Sequence, residues 1–361
     1  MSKKDEEMLS PAAAAKELEA CGNKSTSRDR AIARLITVEP VIGLVAVAIG
    51  IFVVIQPQYL QQRVAAAKNV TLPNAAGGGG DGNGSSSDGT CSARQNRSDP
   101  YYIALQDVQA DVAYWQMIFT VAAFLPSLIM SPFLGSWGDR VGRKVILGLA
   151  VFGYFIVFIA YILTFYLVLP LWVLPIAYFL QGITGGTGLI IAGSVSYVTD
   201  VTTAEKRLLR IGVVHGSFLI GIGLTQVAVG YLVENLGFGP PLWITGITIS
   251  ACLFYIIVPP LLIETVDTEQ YKLKDKSDKV NSIQSLINLF KINVAARRWR
   301  LAILFFVEFM NETLNASAVG VIIIYGLGPP FCWNSVLVAG YWTMLLFSSA
   351  LGKLTFNTNG K

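Results

Sequence analysis

The chain has 361 residues, 53% hydrophobic and 14% charged, with a mean hydropathy of +0.56. Soluble domains carry about 25% charged residues, and long apolar runs without a polar face exclude a soluble globular fold. The net charge of +4 is small, so the placement of charge carries the information, and nothing in it points to nucleic acid.

A bilayer-crossing helix needs about 20 mostly apolar residues, because lipid offers the backbone no hydrogen-bond partners. Eight spans are predicted, at 38–57, 112–134, 145–168, 172–199, 211–233, 241–263, 301–324 and 335–352. None alternates residue by residue like a membrane barrel strand. The expected fold class is therefore all-α, a polytopic membrane bundle.

Residues 1–37 form a polar tail without a cleavable leader, so the first span is expected to act as an uncleaved anchor. A connection at 61–111 follows, containing the flexible run GGGGDGNGSSSDG at 77–89. Sequons begin there at Asn69, Asn83 and Asn96. Six closely spaced spans fill 38–263. A connection at 264–300 separates them from two further spans at 301–352 and a polar tail at 353–361. Its basic residues set topology, and the stretch 291–300 also suits anionic headgroups.

Threading the chain with its N-terminus inside puts 23 of the 27 Lys and Arg on the inner side and 4 on the outer. Basic loops face the cytoplasm, so both termini are expected there. The sequons and Cys91 then lie outside, which favours the secretory route and a plasma or lysosomal membrane. Cys332 is also exterior, Cys21 is cytosolic and Cys252 is buried in span six.

Ionisable groups in a span usually face a partner or an aqueous path. Glu308 and Glu312 share one face of span seven, and mutual repulsion would help one of them hold a proton. His215, the single histidine, lies one turn inside span five and suits a proton relay. Polar cavity lining and ordinary packing are the alternatives for these groups. Gln56, Gln116, Gln181 and Gln226 lie in or beside spans, where they bond either a solute or one another. Gly182 with Gly186, and Gly212 with Gly216, mark faces where helices approach closely. Pro126, Pro132 and Pro175 favour bends. No His/Cys metal cluster, phosphate loop or nucleophile–base set is present, so neither an enzyme nor a cofactor is expected.

Between spans two and three the chain reads Gly135-Ser-Trp-Gly-Asp139-Arg140-Val-Gly142-Arg143-Lys144. Gly142 permits a tight turn, Asp139 can cap a helix N-terminus, and Arg143 and Lys144 suit an anionic surface. This loop resembles the signature of the major facilitator superfamily. Val38-Glu39-Pro40, Gln58-Tyr59-Leu60, Cys91-Ser92, Asn96-Arg97-Ser98-Asp99-Pro100, Asp200-Val201, Tyr325 and Pro330-Phe331-Cys332-Trp333-Asn334-Ser335 look more narrowly like the proton-coupled folate transporter family of solute carriers. That resemblance implies two six-helix halves with a substrate path between them, proton-driven uptake of organic anions, and a Cys91–Cys332 disulfide.

The chain departs from that family at three positions. His215 aligns with the coupling glutamate of span five, Gly186 with an acid of span four, and Asn315 with a histidine of span seven; Asn315 joins the glutamines as a substrate-path candidate. Asp139 and Arg143 are assigned to gating, with Arg143 expected to pair with Asp200. Eight spans make a complete N-terminal half plus two helices of the second, so a C-terminally truncated member is expected. The functional expectation is a proton-coupled symporter of a small organic anion, embedded in lipid and open to homo- or hetero-oligomer formation. The alternative is a truncated, non-transporting form that alters assembly of a full-length relative.

Overall fold

The computed structural model describes residues 38–70, 100–202, 204–258 and 298–307 as continuous stretches, with scattered positions elsewhere from 262 to 348. Among these residues every regular element is a helix, and six helices are long and apolar enough to cross a membrane. The protein is a multi-pass membrane protein.

The elements are α1 (Glu39–Ala67), α2 (Pro100–Val141), α3 (Arg143–Tyr166), α4 (Val173–Ile183), α5 (Gly186–Val201), α6 (Ala204–Leu236) and α7 (Gly239–Ile257). Pro40 stands in the first turn of α1, where a missing N–H costs nothing. Successive spans run up and down, α4 and α5 together making the fourth. One end of the bundle therefore gathers the Asp139–Lys144 loop, the starts of α1 and α6, and the ends of α5 and α7. The other end gathers Lys68, the start of α2 and the turn after α3.

Several boundaries differ from those read off hydropathy. The stretch 61–111 is not a loop throughout: α1 continues to Ala67 past Pro57, and α2 begins at Pro100 and runs for 42 residues. Pro57 removes only its own N–H, and Gln61-Gln62-Arg63-Val64-Ala65-Ala66-Ala67 are mostly good helix formers. At 1.5 Å per residue α2 measures about 63 Å, well beyond a bilayer core of about 30 Å. α1 closes with Asn69 at φ 54°, the Val70 amide bonding the Ala65 carbonyl at 2.9 Å and the Asn69 amide bonding Ala66 at 3.3 Å. That is a left-handed cap of the Schellman type, a position Asn tolerates. At the far end of the half, α7 stops at Ile257 rather than 263. Val258 is extended at ψ 115°, as the Pro259 that follows it demands.

The fourth span is two helices, not one. α4 ends at Ile183, Gly185 and Gly186 take φ of 94° and 57°, and α5 restarts at Gly186. Positive φ at two successive positions suits glycine and breaks the hydrogen-bond ladder in mid-span. Such a break survives in a membrane only when buried in protein or facing a cavity.

The buried core draws on all seven helices, α1 and α3 contributing most of it. α1 and α6 touch through bare backbone: a Cβ on Gly50 would lie 2.9 Å from the Ile222 carbonyl, and one on Gly221 would lie 2.9 Å from Ala46 Cβ. Gly182 does form a close approach, its missing Cβ leaving room for the Ala123 carbonyl of α2. On the fifth span the tight contact falls at Gly221; Gly216 is simply buried. The Thr343 hydroxyl donates to the Gly223 carbonyl on α6 at 2.8 Å.

Candidate functional site

The broken fourth span opens a cleft of about 300 Å³ against α1, α2 and α3. Gln56 of α1 and Gln116 of α2 meet at its mouth, Nε2 donating to Oε1 over 3.5 Å. Gln181, near the end of α4, lines the opposite wall and is 5% exposed. Beside it the Tyr154 hydroxyl bonds the Thr187 hydroxyl, and Tyr178 stacks on Phe119 at 5.3 Å between ring centres. Gly186, Thr187 and Gly188, the first turn of α5, complete the wall. That turn carries the first N–H groups and the positive end of the α5 dipole.

Two serines of α2 hold the break in place. Ser127 donates to the Gly185 carbonyl at 2.9 Å and Ser131 at 3.3 Å, while the Leu189 amide also reaches that oxygen at 3.3 Å. Among the described residues the lining includes no Lys, Arg, His, Asp or Glu. At the position where the resembled family has an acid, Gly186 faces Ser127. The site is a neutral, aromatic and amide-lined recess rather than a charged one.

Three of the four span glutamines thus converge. Gln226 does not: it sits on α6, 1% exposed, its Oε1 without a hydrogen-bond partner among the described residues. His215 is half-buried on α6 and does not line the cleft. Glu308, Glu312 and Asn315 lie outside the described residues, as do Cys91, Cys332, Asn83 and Asn96. Asn69 is exposed at the cap of α1.

A second cluster occupies the motif end. The sequence turns at Gly142, φ 129°, and restarts as α3. Arg143 Nη1 lies 2.5 Å from Asp139 Oδ1 and its Nε lies 3.3 Å from Asp200 Oδ2. The expected contact between Arg143 and Asp200 is therefore present. The carboxylate that caps α3 is not Asp139, however. Glu264 accepts the Arg143 amide at 2.8 Å through Oε1 and the Lys144 amide at 3.1 Å through Oε2. An acid there satisfies two orphan N–H groups and the helix dipole together, whereas Asp139, one turn back on α2, is engaged by the guanidinium. Lys144 Nζ reaches the Ile257 carbonyl that ends α7, at 3.4 Å. A Cβ on Gly142 would collide with the Glu264 carboxylate, so both φ and space require glycine. Gly135 is different: a Cβ there would meet nothing within 4 Å.

Next to this cluster, Arg210 Nη2 pairs with Glu39 Oε1 at 3.0 Å and its Nη1 bonds Thr202 at 3.2 Å. The start of α1 is thereby pinned to the α5–α6 turn. Sequence reasoning missed Glu264 and treated Arg210 as a topology charge. The available signal was an acid placed shortly after a span-ending Pro-Pro pair. At the opposite end Lys68 pairs with Asp111 at 2.7 Å, and Arg63 donates to the Leu169 carbonyl at 2.9 Å.

A six-span half with an internal cleft and an ionic turn between its second and third spans is one arrangement among several for membrane bundles, and sequence comparison decides between them. The profile of the Major Facilitator Superfamily matches residues 41–360. The chain belongs to that superfamily. Among curated relatives of this facilitator, the lysosomal proton-coupled steroid conjugate and bile acid symporter of Gallus gallus is 25% identical over 284 residues, covering 75% of this chain and 60% of the relative. The proton-coupled folate transporter of Rattus norvegicus is 26% identical over 241 residues, 66% of this chain and 50% of that one. The chain thus spans less than two thirds of the length of either. The human organic anion transporter TETRAN superposes with a TM-score of 0.59 at 14% identity, over 92% of this chain and 72% of that structure. That likeness shows the fold alone.

Proposed function

We propose that this facilitator is a secondary active transporter that moves a small organic anion together with protons. The observation that carries the reading is the cleft at the broken fourth span. A span interrupted in mid-membrane is costly unless it serves a cavity, and this one gathers three amides and two tyrosines. The relatives' names support the solute class and the coupling: one is a lysosomal proton-coupled steroid conjugate and bile acid symporter, the other a proton-coupled folate transporter. Proton carriage falls to His215, Glu308 and Glu312, the ionisable groups the sequence puts within spans.

In this reading Asp139, Arg140, Arg143, Lys144 and Asp200, with the turns at Gly135 and Gly142, form a gate at the cytoplasmic end. Both termini face the cytosol, and the membrane is plasma or lysosomal. The Cys91–Cys332 bridge and glycans at Asn69, Asn83 and Asn96 belong to the opposite side.

The test is uptake into proteoliposomes with an imposed proton gradient, using labelled folate and estrone sulfate as probes. Gradient-dependent accumulation that Glu312→Gln or His215→Ala abolishes is the expected result. Equal uptake with and without the gradient removes the proton from the proposal, and silence with a correctly inserted chain removes transport.

A further inference from the structure

Three glycines lie in the cleft wall, and their surroundings set one apart. A Cβ on Gly182 would strike the Ala123 backbone, and one on Gly186 would come within 3.2 Å of Ser127 Oγ at a φ that favours glycine. Those two are glycine because helices and turns must fit. Gly188 has ordinary helical φ, and a Cβ on it would meet nothing within 4 Å. Packing does not require a glycine there, yet it faces the cleft.

We infer that Gly188 sets the width of a subsite that takes the fused-ring portion of the transported anion, through aromatic contacts and neutral hydrogen bonds rather than through a cation. The inference rests on the transporter reading and names the part of the solute this half recognises. Phe119, Tyr154 and Tyr178 offer ring faces and edges. Gln56, Gln116 and Gln181 supply donors and acceptors suited to ring carbonyls, hydroxyls or ring nitrogens. The volume sits at the lower end of ligand pockets, enough for part of a solute. Among the described residues the lining holds no ionised side chain. The first turn of α5 contributes a partial positive charge only, worth a few-fold in affinity at most sites. A chain with a larger side chain at 188 would pass narrower solutes.

The experiment uses the full chain in nanodiscs and three probes: 1-pyrenebutyrate, its uncharged counterpart 1-pyrenebutanol, and the ring-free dianion adipate. Binding is read by pyrene fluorescence and by equilibrium dialysis of labelled adipate, with empty nanodiscs to subtract partition into lipid. Both pyrene probes are expected to bind within about tenfold of each other, and adipate far more weakly. Gly188→Phe is expected to weaken both pyrene probes by at least about tenfold while leaving the melting temperature unchanged. Should Gly188→Phe not fold, Gly188→Val reads the same loss on a smaller scale. Adipate binding as tightly as pyrenebutyrate, loss of pyrenebutanol binding alone, or a folded Gly188→Phe that binds normally would each overturn the inference. Ring-dependent binding without uptake overturns the transporter reading and leaves this one; adipate uptake without ring binding does the reverse.

Discussion

At the cleft, helices part around neutral amides and hydroxyls; at the motif end, four chain segments converge on one guanidinium and one helix terminus through three carboxylates. The first arrangement leaves a recess whose shape depends on missing side chains, at Gly182, Gly186 and Gly188. The second leaves almost no slack, because each partner occupies a fixed point of the Arg143 fork or the α3 terminus. On the proposed transporter reading, a bundle that admits a solute and rearranges its contacts needs one region soft in shape and another bistable in charge. Ion pairs are suited to the second role, since they break and reform at a defined distance, whereas packed apolar surfaces do not.

The comparison can be broken at four places. The largest effect is expected at Gly142→Ala, where a strained φ adds about 1–3 kcal/mol to the displacement of Glu264. Thermal unfolding in detergent should fall by several degrees, and an unchanged melting temperature would show that the cradle is not required. Gln181→Leu should leave melting almost unaltered but lower pyrenebutyrate binding about tenfold. If it destabilises the protein instead, the amide belongs to the core rather than the cleft. The Arg143–Asp200 pair is partly exposed, so its coupling in a double-mutant cycle should be about 1 kcal/mol or less. The swap Arg143→Asp with Asp200→Arg should recover part of what each single change loses, and no recovery would remove Asp200 from the gate. Ser127→Ala is the mildest, about 1 kcal/mol or less, because Ser131 and the Leu189 amide still reach the Gly185 carbonyl. A double Ser127→Ala, Ser131→Ala chain that binds ring probes normally would separate the break from the site.

Six spans were legible because lipid imposes length and apolarity directly on sequence. Their ends were not. Hydropathy sees the apolar centre of α1 and α2 but not the helical extensions, whose stability comes from propensity and from pairs such as Lys68–Asp111. The break at Thr184-Gly185 was hidden inside one continuous apolar run, and Gly186 read as a packing residue when its role is conformational. Among the glutamines, composition alone cannot give the direction a side chain faces, so Gln226 looked equal to Gln181 although they end in different places. Asp200 was legible as Arg143's partner because both stand at the same end of adjacent spans. Glu264 was not, because the reading carried the span to 263 and left the acid to the connection.

The position of Glu264 turns a passive-looking tether into a lever. The peptide that leaves the sixth span toward the 264–300 connection is bolted, through one carboxylate, to the first turn of the third. A pull on that connection would act on the same latch that Arg143 fastens, away from the amide-lined recess. The charge cluster thus has a mechanical handle remote from the recess.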